Sequence, residues 1–136
     1  MKTKFFISAI AASLMFVVPA SADDTPLAEQ MDAMNDAYKA MRRLDDMSKG
    51  PALAREAQDA MIKAITETPQ MLKAMPDGPE KAKASAHYRL MMGQLIATLA
   101  ELELAFLDGD KAKVDEVIGK MKDSKKEGHD KFMEDE

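Results

Sequence analysis

The sequence predicts an all-α protein, an antiparallel up-down-up-down four-helix bundle, and three observations carry that expectation. Apolar residues recur at alternating spacings of three and four in four separate segments, one buried stripe per helix. Proline and glycine punctuate the gaps between those segments. No stretch alternates apolar and polar residues as a strand would. Two of the connections are short, and short connections make consecutive helices antiparallel neighbours.

Before the first helix comes a basic head, MKTK, then a 14-residue uncharged, largely apolar run (5–18), then Ala20-Ser21-Ala22, a small-x-small cleavage signal. The apolar run is too short to span a bilayer comfortably. Residues 1–22 therefore read as a cleaved secretory signal peptide and 23–136 as one bundle domain. That domain holds 136 − 22 = 114 residues, enough for a single core.

The first helix opens with Thr25 as N-cap and Pro26 at the first helical position. Its stripe is Leu27, Met31, Met34, Tyr38 and Met41, and Lys49-Gly50-Pro51 is expected to stop it. The second helix carries Leu53, Ala57, Ala60, Met61, Ala64 and Ile65, and closes before Pro69. Residues 69–79, with three prolines and a glycine, read as a loop. Pro79 and Glu80 start a long helix to Leu107 with the stripe Tyr88, Met92, Leu95, Leu99, Leu102 and Phe106. After the tight turn at 108–111, the last helix aligns Val114, Ile118, Met121, Lys125, Gly128 and Phe132.

Composition excludes several functions. The chain has no cysteine, which removes disulfides, thiolate metal sites and thioether-attached cofactors. Its formal net charge is −5, and losing Lys2 and Lys4 with the signal makes −5 − 2 = −7. An acidic chain is a poor match for nucleic acid, whose phosphates need a basic face. Beyond the signal no segment reads as apolar enough to cross a membrane. Nothing resembles a nucleophile–base pair or a phosphate loop, so an enzyme is not expected.

In an up-down bundle, the start of helix one and the end of helix four share a pole. Met31 and His129 fall at similar depths below it, on neighbouring helices, with His129 on the flank of its helix's apolar stripe. From spacing alone, His129 reads as an exposed residue favoured by the helix dipole and Met31 as core. His87, off the stripe, reads as exposed. The surplus of methionines lies on helical stripes, not in Met-x-x-Met runs, and so reads as core more readily than as a Cu(I) site.

Six stretches of the chain nevertheless resemble one family. The run LAEQMDAMNDAYKAM (27–41) looks like the first helix of cytochrome b562, and MKDSKKEGHDKF (121–132) resembles its last helix. Thr68-Pro69, the GPE of 78–80, Tyr88-Arg89 and the DGDKAKV turn fit the same pattern. The resemblance implies a soluble periplasmic b-type cytochrome, a monomer whose partners are periplasmic redox proteins. It assigns the axial iron ligands to Met31 and His129. One haem b per chain would be held non-covalently, because at Lys125-Lys126-Glu127-Gly128-His129 the histidine of a C-x-x-C-H motif is present and both cysteines are absent. The lining it implies is Leu27, Met34, Ile65, Met71 or Leu72, Tyr88 and Met92, with Lys125 near a propionate. Met92 stands where relatives carry a bulky aromatic, and Lys125 where they tend to carry arginine. The competing expectation is a haem-free, Met-rich periplasmic bundle that binds a metal or acts like a chaperone.

Overall fold

Thr25 starts the first helix as its chemistry requires. The computed structural model describes residues 25–132, and in it the Thr25 hydroxyl accepts a hydrogen bond from the Ala28 N–H at 3.1 Å. This cap opens α1 (Pro26–Arg42), which buries Met34, Ala37, Tyr38 and Met41. The expected signal peptide, residues 1–22, lies outside the described residues.

The first helix stops at Arg42, well before the expected Lys49-Gly50-Pro51. The reason is Asp46, whose carboxylate accepts from the Ser48 N–H at 3.0 Å and the Ser48 hydroxyl at 2.6 Å. A short acidic side chain that captures nearby backbone offers the chain an alternative to a continuous helix. Here it starts a 3₁₀ turn, Met47–Lys49, that runs directly into α2 (Gly50–Ala64).

Gly50 is thus the first residue of α2 and not a stop, with ordinary helical φ −60 and ψ −47. What it supplies is space. Gly50 is buried, and a Cβ added to it would overlap the ring of Phe106, itself 4 % exposed. Gly50→Ala is therefore expected to destabilise the fold by about 1–3 kcal/mol through overpacking, despite alanine's better helix propensity. Phe106→Leu in the same chain should recover part of that loss; chemical denaturation of the two single variants and the double variant checks it.

The inner face of α2 is built from Ala54, Ala57, Ala60, Met61 and Ala64, all buried. Alanines let neighbouring helices approach closely, while Leu53 and Ile65, expected on the stripe, are only half-buried. The expected loop contains one turn of helix, α3 (Gln70–Ala74), which the prolines bound instead of preventing. Leu72 anchors it at 1 % exposure.

Next comes α4 (Pro79–Leu107), which begins and ends where the sequence predicts. Its stripe is buried except Met92, which is half-buried. Gly109, at φ 65, makes the turn that follows. Asp110 then accepts from the Lys113 N–H at 3.0 Å and opens α5 (Lys111–Phe132). Among the residues of α5 whose burial is described, Val114, Val117 and Met121 are buried. Val117 lay off the expected heptad line because a buried stripe is wider than one row.

The described residues are all-helical, with four long helices, one short helix and one 3₁₀ turn. α1 packs on α2, α2 on α4 and α4 on α5, around one core cluster that includes Met61, Leu99, Leu102 and Val117. One expectation needs correction. By length and composition α4 is apolar enough to cross a membrane, with mean hydropathy 1.5 over its best window. The inner face of that helix is core, and the outer face adds exposed Leu90, Leu104 and Leu107.

Candidate cofactor-binding site

A cavity of about 970 Å³ opens among four parts of the chain: the start of α1, the segment from the end of α2 through α3, α4, and the end of α5. That lies near the top of the roughly 300–1,000 Å³ usual for cofactor sites. Leu27, Met31 and Met34 line it from α1, Tyr88 and Met92 from α4, and Lys125 and His129 from α5. Of the two alternatives on α3, Met71 lines the cavity, and Leu72 is buried outside the lining.

Ile65 does not line the cavity. It caps α2, its N–H bonded to the Met61 carbonyl at 2.9 Å. His87 is also absent from the lining: it is exposed, and its Nε2 lies 3.1 Å from Lys131 Nζ.

The two candidate ligands differ in setting. Met31 is half-buried on α1 and packs against the core cluster, so the backbone of a capped helix positions its thioether. His129 is exposed near the end of α5, where a base suits the helix dipole. Two residues earlier, Glu127 accepts from Lys131 at 2.7 Å, and that bond holds its carboxyl below the usual carboxylate range. Lys125 lies one turn before His129. Its ammonium sits 5.7 Å from the centroid of the Tyr38 ring, so α1 engages the side chain that the family pattern would direct at a propionate.

Tyr88 ties α4 to the end of α2. Its hydroxyl donates to the Ala64 carbonyl at 2.7 Å, and burial, with Glu67 adding to it, pushes the phenol up to about 12. A phenol raised from about 10 stays neutral in the fold after the unfolded chain has ionised. Its contribution is complete below pH about 10 and is lost as pH rises toward 12. Tyr88→Phe should cost about 1 kcal/mol at neutral pH, and the deficit should narrow across that alkaline window. Urea unfolding of both proteins against pH measures it; a deficit constant through the window would contradict this origin.

Two lining features escaped the sequence. Asn35 is among the lining residues, and its Oδ1 is buried without a hydrogen-bond partner among the described residues. Buried acceptors are nearly always paired, which makes this one unusual. Asparagine one turn after Met31 on an apolar face was the available signal. Met91 is the second, adding to Met31, Met34, Met71 and Met92, so five thioethers line one space. No group of three or more His, Cys, Asp or Glu side chains that could hold an ion occurs among the described residues.

The residues present fit a flat, largely apolar, iron-bearing group. Thioether and aliphatic side chains share the walls with polar ones, Met31 and His129 reach the cavity from different helices, and Lys73 and Lys125 supply cations for acidic substituents. Residues 26–133 match the family model described as Cytochrome b562. Comparison with curated proteins returned no match.

Proposed function

Since the chain belongs to the cytochrome b562 family of haem-binding electron carriers, we propose that it is a soluble periplasmic one-electron carrier with Met31 and His129 as axial ligands. The observation that carries this reading is that these two side chains, 98 positions apart (129 − 31), line the same cavity. When bound, haem b supplies a reversible one-electron couple. Everything else falls to the chain. Met31 offers a thioether, which favours the reduced metal, and His129 a stronger imidazole. Two protein ligands leave no open position for substrate, so we read a carrier and not an enzyme.

With no cysteine in the chain, retention depends on packing: Leu27, Met34, Tyr88 and Met92 exclude water, while Lys125 and Lys73 place positive charge at the wall. The lining draws on the start of α1, the segment after α2, α4, and the end of α5. That combination supports an antiparallel up-down-up-down course for α1, α2, α4 and α5, with α3 as an elaboration of one connection. Export by residues 1–22 and periplasmic redox proteins as partners belong to the same proposal.

The second reading, a haem-free bundle that binds a soft metal, is favoured by one observation, the five lining thioethers. Hemin titration separates the two. The expected result is a sharp Soret and α-band pair saturating at one equivalent per chain; Cu(I) binding with no such spectrum would support the second reading.

A further inference from the structure

The outward face of α4 carries a pattern that neither the core nor the cavity uses. Leu90, Leu104 and Leu107 are 56 %, 61 % and 65 % exposed. Exposed Gly93 and Ala97 lie between them. Leu90, Ala97 and Leu104 are spaced by seven, so they form one line along the helix, on the side away from buried Tyr88, Leu95, Leu99 and Leu102.

Charge borders this line in a definite order. The 11 residues 90–100 carry none. Exposed Lys83 and Arg89 precede them, and exposed Glu101 and Asp108 follow. None of these four forms an ion pair among the described residues. Glu80 in the first turn suits the helix dipole and Asp108 at the C-cap opposes it, while Lys83, Arg89 and Glu101 lie beyond its reach of one turn. Helix stability does not account for them.

We propose that this face binds a second copy of the chain, with the two α4 helices antiparallel. Antiparallel pairing places the basic end of each helix beside the acidic end of the other, whereas parallel pairing sets like charges together. Gly93 and Ala97 at the middle let the helices approach closely, and Leu90 of one copy falls near Leu104 of the other. This pairing departs from the monomer expected from the sequence. A lipid surface fits less well, because membrane-lying helices border their apolar face with bases and not with Glu101 and Asp108. One helix pair buries less than the roughly 1,200 Å² of a standard interface, so the dimer is weak and sensitive to concentration and salt.

Sedimentation velocity on the purified chain, from micromolar to millimolar concentration at low salt, tests the proposal. The wild type should shift to dimer mass as concentration rises, and Leu90→Glu with Leu104→Glu should weaken association about tenfold or more. A charge exchange then tests the orientation. Lys83→Glu/Arg89→Glu makes both ends acidic, and Glu101→Lys/Asp108→Lys makes both ends basic. Each variant alone should be monomeric, and an equimolar mixture should form a heterodimer. Far-UV circular dichroism equal to wild type establishes that each variant folds. The proposal is overturned by a wild type that stays monomeric throughout, by association that survives the two leucine substitutions, or by swapped variants that fail to pair. A wild type that sediments with phosphatidylglycerol vesicles but not with itself overturns it in favour of the membrane.

Discussion

His129→Ala should abolish the low-spin Soret and α-band spectrum of the hemin-reconstituted chain and weaken hemin binding by more than about a hundredfold. The magnitude follows from metal sites generally: removing a residue that merely orients a ligand costs about 10–100-fold, so removing the ligand itself costs more. Met31→Ala should be milder in affinity and larger in potential. A thioether favours ferrous iron, so its loss lowers the reduction potential and opens a coordination position. The contrast with His87→Ala gives the experiment its discrimination. His87 is outside the cavity lining and beside Lys131, so its replacement should leave the spectrum unchanged. Equal effects of His129→Ala and His87→Ala would point to folding and not ligation.

The second large effect concerns the orientation of α4. Leu99 is 0 % exposed in the core and Leu104, five residues on, is 61 % exposed on the outer face. Leu99→Ala should cost about 2–5 kcal/mol, the transfer term plus the cavity left behind. For a domain whose total stability is of order 5–15 kcal/mol, that is a large share. Leu104→Ala should change stability by no more than about 0.5 kcal/mol at concentrations where the chain is monomeric. Chemical denaturation at low protein concentration measures both. Comparable losses would mean that α4 presents a different face to the core.

Much of this arrangement was legible because it rests on local chemistry and helical period. Thr25 and Pro26 announced α1, Pro79 announced α4, and the row from Tyr88 to Phe106 named the buried face of the longest helix. The cavity was legible through resemblance more than through pattern: spacing alone left His129 an exposed residue, and it is exposed, yet it lines the same space as Met31. What escaped depended on tertiary detail. Gly50 read as punctuation because a glycine needed for space looks the same in sequence as a glycine that ends a helix, and only the Phe106 ring distinguishes them. The single turn at Gln70–Ala74 is too short to show a period and is held by one buried leucine, Leu72. Ile65 sat correctly on the helical stripe but at the end of α2, where it caps and does not face the cavity. The unpaired Asn35 oxygen follows from burial, which spacing does not report.

Iron ligation by Met31 and His129 is the central claim, and iron K-edge X-ray absorption on the reconstituted, reduced chain tests it most directly. The expected result is a sulfur scatterer beside nitrogen scatterers, with the sulfur lost in Met31→Ala and retained in Met34→Ala, Met91→Ala and Met92→Ala. An iron shell of nitrogen and oxygen alone, or a sulfur that survives Met31→Ala, would contradict it.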